Sequence, residues 1–421
     1  MANPFHADFF KKNRQKLKGH IDQNAVAIFF SNHRMPRNGD QFFPFRQNSD
    51  LYYFTGIEAE NTILVMEKYK NFLFIQKPDK TSALWEGETL SPEKAKDISG
   101  IENILWSHEL ESTMDKTLRS KKHIYLNVHE KMHSPGIQSK DEQYLKQTRK
   151  QYPFHAFYSV KPFMKQIRLI KEPEEIEAIK KAIAITGKAL ERIFPLVQPG
   201  ISERQIKAEM LHELICNQSD GFAFEPIIAA GKNTTILHYT QNNNTCRNQE
   251  LLLLDIGAEY NNYAADISRT IPVNGKYSPR QKACYQAVLE VMEKVKKDIR
   301  PGLTIKALND KMVEQLIEKH IMLGLYQRKD LNSQPPPVWK KYFPHGVAHF
   351  IGLDVHDDGD QETTLDKGMI ISWEPGIYIP EENIGIRIED DILVDTPSVN
   401  LSSAIPKNID EIETWMGRIP K

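Results

Sequence analysis

Two carboxylates at strand ends are the first residues of this 421-residue chain whose positions suggest chemistry. Asp255 ends the apolar run 251–254, and Asp266 lies in a second strand-like stretch after the turn-prone residues 259–262. In an antiparallel hairpin with an even-membered loop, the two side chains would face the same side as close neighbours. Two facing anions repel unless they share a proton or a cation. We interpret the pair as metal ligands rather than as two separate turn-forming aspartates.

A second group consists of three histidines within twelve residues, His345, His349 and His356. Glycine and apolar side chains separate them. One histidine among apolar residues is usually a satisfied core group, whereas three together are more typical of a functional site. The glycines disfavour a helix, and the glutamate of the helical zinc motif is missing, so we predict a strand or a loop here.

Two more acids belong to apolar, strand-like segments. Glu374 follows an apolar run and precedes a Pro-Gly pair, which favours an extended backbone and then ends the strand. In residues 384–391 the alternation places Arg387 and Glu389 on one face of a strand. Taken alone, this last pattern is also typical of a half-exposed strand with a surface ion pair.

The acids and histidines together predict a metal-dependent hydrolase. Four carboxylates carry enough negative charge to balance two divalent cations: Asp255, Asp266, Glu374 and Glu389. His349 or a neighbouring histidine would add one nitrogen ligand. Oxygen-rich ligation with one nitrogen suits Mn²⁺, and Co²⁺ or Zn²⁺ could also bind. Two such ions would activate water and polarise a carbonyl, which is the machinery of hydrolysis.

Alternating strands and helices are predicted for the first domain, residues 1–166. Apolar runs at 25–30, 62–66 and 72–75 have the length of strands, and Ser91-Pro92 is typical of a helix start. We therefore expect an α/β domain that precedes the residues with chemistry.

An internal repeat marks the second domain, residues 167–421. Residues 199–202 read Pro-Gly-Ile-Ser, and 102 positions later residues 301–304 read Pro-Gly-Leu-Thr. The apolar positions of the amphipathic helices around both turns keep one register without a gap. Chance alignment of two helix pairs is the alternative, but we favour a duplicated αα-β domain with a cleft where its halves meet. The proline-rich residues 327–342 are predicted to form a loop.

The net charge of −1 hides an asymmetry between the two domains. Residues 1–165 carry 25 basic and 19 acidic side chains, whereas residues 166–421 carry 30 and 37. The balanced total argues against a nucleic-acid partner. No run of about eighteen apolar residues exists, so we expect no membrane span. A polar start without an apolar segment and three scattered cysteines favour a cytoplasmic protein.

The order of the five candidate ligands resembles that of the pita-bread metallopeptidases, which include methionine aminopeptidase, prolidase and aminopeptidase P. The matching segments are the three-histidine run and residues 236–239 (ILHY), 374–376 (EPG) and 385–390 (GIRIED). Residues 44–56 resemble the amino-terminal domain of aminopeptidase P, which methionine aminopeptidases generally lack. The resemblance implies a two-domain α/β fold, with a creatinase/aminopeptidase P-type N-terminal domain followed by a pita-bread catalytic domain.

The resemblance also implies a set of site residues. The metal ligands would be Asp255, Asp266, His349, Glu374 and Glu389, holding two Mn²⁺. The catalytic residues would be His238, His345, His356, Glu374 and Arg387. Their implied activity is that of an Xaa-Pro aminopeptidase, which releases the N-terminal residue from peptides with proline at position two.

Each catalytic residue has an implied role. His238 and His356 would stabilise the oxyanion, and His345 would contact the peptide beyond proline. Glu374 would shuttle a proton, and Arg387 would hold the carboxylate geometry. Relatives also imply a homodimer or homotetramer, in which Trp85 of the N-terminal domain would reach the site of a neighbouring subunit.

Three alternatives remain open on the sequence. Prolidase shares the fold, metals and motifs but cuts only dipeptides. A non-catalytic pita-bread module that binds proteins, or a creatinase-like hydrolase without metal, would fit five intact ligands less well. Trp373 replaces a commonly smaller residue, and the Pro335–Pro337 loop has no obvious counterpart; both bear on substrate preference.

Overall fold

The computed structural model of the chain describes residues 5–78, 84–85, 87, 89–128, 138–331 and 335–418. The chain forms two compact units, Met1–Ile167 and Arg168–Lys421. Helices of the first unit, of which the last runs on into the second, are α1 Ala7–His20, α2 Ser49–Thr55, α3 Pro92–Ser99, α4 Leu110–Ser120, α5 Lys140–Gln151 and α6 Lys161–Leu169. Its strands are β1 Ala25–Phe30, β2 Pro36–Asn38, β3 Gln41–Phe42, β4 Ile63–Glu67, β5 Asn71–Ile75, β6 Asn103–Trp106, β7 His123–Leu126 and β8 Ala156–Ser159.

A six-stranded mixed sheet is the centre of the first unit, in the order β6-β5-β4-β1-β7-β8. Strand β1 pairs antiparallel with β4 and parallel with β7, and all six of its residues are buried. A strand that is apolar along its whole length needs both faces covered, which a central position provides. The predicted strands and the α3 start are confirmed, with Ser91 capping α3 and Pro92 at its first position.

The second unit contains two helix pairs and short antiparallel sheets. Its helices are α7 Pro173–Ile193, α8 Glu203–Cys216, α9 Pro279–Lys296, α10 Ile305–Met322, α11 Trp339–Tyr342 and α12 Ile409–Met416. Its strands are β9 Gly221–Phe222, β10 Ile227–Ala230, β11 Leu251–Ile256, β12 Ala258–Tyr260, β13 Tyr263–Ala264, β14 Ile267–Pro272, β15 Ile370–Trp373, β16 Gly376–Ile379, β17 Ile384–Arg387, β18 Asp390–Leu393 and β19 Val399–Asn400. Among the described residues, no helix is long and apolar enough to cross a membrane.

The duplication inferred from the repeated turn is visible in the order of the elements, since each helix pair precedes a three-stranded sheet. Helices α7 and α8 pack together and precede the sheet β10-β11-β14, whereas α9 and α10 pack together and precede the sheet β15-β18-β19. A capping box of Ser202 and Gln205 begins α8, and Thr304 caps α10 at the equivalent turn. The apolar faces of these helices form much of the buried core of the unit.

Two local predictions were wrong. The strand expected at 263–267 is broken: Tyr263–Ala264 pairs with β12, and a separate strand, β14, begins after Asp266 and pairs with β11. The chain turns here because Gly257 meets Ala265 so closely that a Cβ on the glycine would lie 1.6 Å from the Ala265 carbonyl oxygen. The predicted loop 327–342 includes the short helix α11, and residues 332–334 of that loop lie outside the described residues.

Candidate active site

The four predicted carboxylate ligands all lie where strands end. Asp255 is the last residue but one of β11, and Asp266 directly precedes β14. Glu374 follows β15, and Glu389 lies between β17 and β18. At the end of a strand, the rigid sheet fixes the direction of a side chain, and the chain that follows turns away. Acids at several strand ends can therefore converge on one point.

Three of the candidate ligands already form a group that could hold a metal ion. One ligand atom each of Asp266, His349 and Glu389 lies within 4.8 Å of the other two. Nε2 of His349 is 3.4 Å from Oδ2 of Asp266 and 3.9 Å from Oε1 of Glu374. The negative charge of Asp255 adds to those that raise the pKa of Asp266, which places Asp255 in the same cluster.

The donor set fits divalent metal ions on two observations. Oδ1 of Asp255 and Oδ1 of Asp266 are buried and have no hydrogen-bond partner among the described residues. Burial, followed by the neighbouring acids, raises the pKa of Asp266 and of Glu389 well above the usual range, and burial raises the pKa of Glu374 to about 7. Clustered acids with empty acceptor positions are stabilised by cations that bind between them.

Arg387 connects two of these carboxylates. Its Nη2 donates to Oδ2 of Asp255 at 2.6 Å, and its Nε donates to Oγ of Ser268 at 2.9 Å. The Ser268 hydroxyl in turn donates to Oε2 of Glu389 at 2.8 Å. Arg387 and Glu389 are 4% and 2% exposed, so the alternative of a surface ion pair on a half-exposed strand is excluded.

Tyr378, which the sequence did not indicate, joins Arg387 to the first histidine. Nδ1 of His345 is 2.7 Å from the Gly346 carbonyl oxygen, which can only accept, so Nδ1 carries the proton. Nε2 therefore accepts from the Tyr378 hydroxyl at 2.8 Å, and the oxygen of that hydroxyl accepts from Nη1 of Arg387 at 3.0 Å. Burial, with the Arg387 charge, lowers the pKa of His345 to about 3, so its ring is neutral.

The other histidines lie at the same cluster but are more open to solvent. The rings of His349 and His356 are 4.3 Å apart, and Nδ1 of His349 donates to the Phe350 carbonyl oxygen at 3.1 Å, which leaves Nε2 free to face the acids. The buried part of its ring, together with His349 and His238, lowers the pKa of His356 to about 4. His238 is exposed and near enough that its charge lowers the pKa of both His345 and His356.

Backbone hydrogen bonds connect the histidine segment to β15 and to Glu374. The amides of Ser372 and Glu374 donate to the carbonyl oxygens of His349 and Val347, both at 2.8 Å. The segment 345–356, which contains the three histidines, forms no helix, as predicted. It is irregular and pairs with β15 through a bridge between Phe350 and Ile371. An acid that sequence reasoning missed, Asp391, accepts at Oδ2 from the amide of Asp266 at 3.1 Å.

Trp373 lies outside this cluster. Its side chain is fully buried, and the indole Nε1 donates to the Met292 carbonyl oxygen in α9 at 3.1 Å. Successive residues of a strand face opposite sides, so Trp373 points away from the side that Glu374 shares with the other acids. Its packing explains why a large side chain is accommodated in this chain.

Two family models match the chain in the order that the fold suggests. Residues 177–396 match Metallopeptidase family M24, and residues 10–125 match Aminopeptidase P, N-terminal domain. The Xaa-Pro aminopeptidase of Escherichia coli is 33% identical over 427 residues, covering 97% of each chain. Human Xaa-Pro aminopeptidase 3 is 29% identical, covering 95% of this chain and 82% of the human one.

Solved structures give the same result. A candidate aminopeptidase P from Bacillus anthracis superposes with a TM-score of 0.92 at 36% identity, covering 98% of each chain. Aminopeptidase P from E. coli with the inhibitor Pro-Leu superposes with a TM-score of 0.89 at 30% identity and the same coverage. These matches confirm the predicted fold class, the metallo-aminopeptidase activity and the Xaa-Pro aminopeptidase function. The chain belongs to metallopeptidase family M24, and within it to the aminopeptidase P enzymes.

Proposed function

We propose that this enzyme releases the N-terminal residue from peptides whose second residue is proline, using two divalent metal ions, with Mn²⁺ as the natural pair and Co²⁺ or Zn²⁺ as substitutes. The observation that carries the proposal is the group formed by Asp266, His349 and Glu389, whose ligand atoms lie within 4.8 Å of one another. Oε1 of Glu374 lies 3.9 Å from Nε2 of His349, and buried oxygens of Asp255 and Asp266 lack partners among the described residues. The similarity to E. coli Xaa-Pro aminopeptidase over nearly the whole chain supports the substrate class.

The residues that would hold the ions are Asp255, Asp266, His349, Glu374 and Glu389. When bound, two such ions activate water for attack and polarise the carbonyl of the scissile bond. Oxygen donors with a single imidazole favour Mn²⁺ over softer metals, although the ion in use also depends on supply. Arg387 would hold two of the carboxylates in place through Asp255 and Ser268.

The chain's own side chains would then handle protons and charge. Glu374, with a carboxyl pKa of about 7, would take a proton at a carboxylate oxygen and deliver it to the departing proline nitrogen. His356, which is neutral at pH 7, and His238 would each donate a ring N–H to the carbonyl oxygen as negative charge develops there. His345, fixed by Tyr378, would form the wall that the peptide beyond proline contacts.

Proline at position two makes the scissile bond a tertiary amide without an N–H and with a restricted φ. A peptidase that relies on donation from that N–H loses a contact, so a site shaped for the ring gains specificity.

The proposal also assigns residues 1–166 to the N-terminal domain and residues 167–421 to the catalytic domain. It places the enzyme in the cytoplasm, as a homodimer or homotetramer. Trp85, which is 81% exposed, would contact the partner's site in such an assembly.

The test compares an Xaa-Pro dipeptide with an Xaa-Pro-Yaa-Yaa peptide on the Mn²⁺-loaded enzyme. We expect the longer peptide to have the higher kcat/KM, and the same peptide with alanine at position two to be cleaved poorly. A preference for the dipeptide would identify a prolidase instead. Metal binding without cleavage of any of the three peptides would identify a binding module.

A further inference from the structure

A buried cluster of charges lies beside His356 and outside the proposed metal ligands. Asp357 follows His356 directly, and its side chain is 2% exposed. Its Oδ1 accepts from Nη2 of Arg168, and its Oδ2 accepts from Nζ of Lys171 at 2.8 Å. The side chains of Arg168 and Lys171 are 2% and 1% exposed, so all three charges are removed from solvent.

The two basic residues are themselves held by the backbone of the catalytic unit. Nζ of Lys171 donates to the Arg168 carbonyl oxygen, and the amide of Lys171 donates to the Gly368 carbonyl oxygen, both at 2.9 Å. Arg168 also donates to Oδ2 of Asp354 at 2.8 Å. Residues 168–171, just before α7, thus contact both ends of the segment 354–357.

The segment around Asp357 has no free space. A Cβ on Gly352 would lie 2.2 Å from Oδ2 of Asp357 and 3.0 Å from Nζ of Lys171. A Cβ on Gly359, where φ is +144°, would lie 2.1 Å from the Phe350 ring. The amide of Asp357 donates to the Phe350 carbonyl oxygen at 2.9 Å, which closes the loop. Close packing and this hydrogen bond therefore restrict the backbone on the C-terminal side of His356 to one conformation.

His356 depends on that backbone because its ring makes few contacts of its own. The ring is exposed, packs against the His349 ring, and has no hydrogen bond with any described residue. We propose that Asp357, clamped by Arg168 and Lys171, is a positioning residue that sets where the His356 ring points. This inference rests on the proposed role of His356 in binding the developing oxyanion.

Stability alone explains the cluster poorly. Desolvating an ion pair costs about as much as the pair gains, and apolar replacements of buried pairs are often neutral or stabilising. Two cations from one short segment fix the geometry, since Asp357 cannot move without breaking its bond to Lys171 or its bond to Arg168. A displacement of about 1 Å in a catalytic group can cost on the order of 100-fold in rate.

The test uses Lys171→Met, which removes one of the two cations of Asp357 and leaves its pairing with Arg168 in place. We expect kcat to fall about 10-fold or more while KM and metal content stay unchanged. The matched control is Lys121→Met in the first unit, because Lys121 also contacts one carboxylate, Glu67, at 3.0 Å and one carbonyl oxygen, that of Gln23, at 2.7 Å. The control should lose stability without losing kcat.

A double-mutant cycle with His356→Ala separates positioning from general weakening. If Lys171 acts through His356, Lys171→Met should cause no further loss of kcat in the His356→Ala background. Losses that multiply would overturn the positioning role and leave the proposed function intact. An unchanged kcat in His356→Ala alone would overturn both the oxyanion role and this inference. If Lys171→Met does not fold, Lys171→Gln keeps a donor for Asp357 and is compared in the same cycle.

Discussion

Replacing Tyr378 by phenylalanine isolates one hydroxyl that holds two site residues at once. The hydroxyl donates to Nε2 of His345 and accepts from Nη1 of Arg387, and its pKa, raised by burial to about 12, keeps it protonated. The ring itself is buried against Ile227 and Leu253, so phenylalanine retains the apolar packing. The substitution therefore removes two hydrogen bonds and little else.

The expected cost follows from the two bonds. A neutral hydrogen bond contributes about 1 kcal/mol and one to a charged group about 1.5–3 kcal/mol. Arg387 keeps its bonds to Asp255 and Ser268, so only the two bonds of the hydroxyl are lost and the free energy of unfolding should fall by about 2.5–4 kcal/mol. With nothing fixing Nε2 of His345, we expect kcat/KM to fall about 10-fold as well.

Urea unfolding and peptide hydrolysis measure both effects. Tyr285→Phe is the matched control, since Tyr285 is fully buried and donates a single bond, at 2.8 Å, to the Lys407 carbonyl oxygen. It should cost about 1 kcal/mol and leave kcat/KM unchanged. If Tyr378→Phe costs no more than the control and cleaves peptides at the normal rate, the hydroxyl does not link His345 to Arg387 and the reasoning fails.

Three further predictions concern metal binding, packing and pH. Asp266→Ala should lose bound Mn²⁺ together with activity, and a normal metal content by elemental analysis would contradict its role as a ligand. Trp373→Phe should lower the free energy of unfolding by about 1–3 kcal/mol, because the Met292 carbonyl oxygen loses its donor, and should leave kcat unchanged; a changed kcat would place Trp373 at the site. Burial raises the pKa of Asp141, in the first unit, to about 8, so the folded chain favours the neutral acid and loses stability as pH rises from about 4 to 8. Asp141→Asn should remove that part of the pH dependence, about 1.4 kcal/mol per pH unit, in unfolding curves at pH 5 and pH 8, and equal slopes for both proteins would exclude it.

The grouping of the candidate ligand acids could be predicted from the sequence because burial of an acid is unusual. Asp255 lies near the end of an apolar strand and Glu374 directly follows one, and a buried acid in such a position needs a partner in any fold. The helix pairs could be predicted for a similar reason, since the apolar period and the Pro-Gly turns are local properties of the chain. Both inferences depend on residues that are neighbours in sequence.

The supporting groups could not be predicted, because distant strands supply them. Tyr378 reaches the site through the pairing of β16 with β17, and its side chain lies against Gly376, where a Cβ would be 2.9 Å from the Tyr378 hydroxyl. Ser268 lies opposite Asp255 only because β14 begins one residue after Asp266. That register depends on the close approach of Gly257 and Ala265, which no pattern of apolar residues records.

Charge balance distinguishes the candidate metal site from two other buried acids of the catalytic unit. Asp357 has two cations of the chain, Arg168 and Lys171, and Asp390 has two others, Arg269 and Lys407. Although burial acts to raise the pKa of Asp390, its two cations hold it below the usual range.

At Glu389, the residue before Asp390, the pKa shifts in the opposite direction. Burial and the charge of Asp266 raise the pKa of Glu389 well above its usual range. Among the described residues, the four candidate ligand acids share one buried arginine, Arg387, and burial raises the pKa of Asp266, Glu374 and Glu389. A buried ion-pair network is complete without a ligand, whereas this cluster needs more positive charge than the described part of the chain supplies. The neighbouring carboxylates at 389 and 390 thus differ in their partners, and the shortage of positive charge around Glu389 supports its proposed role as a metal ligand.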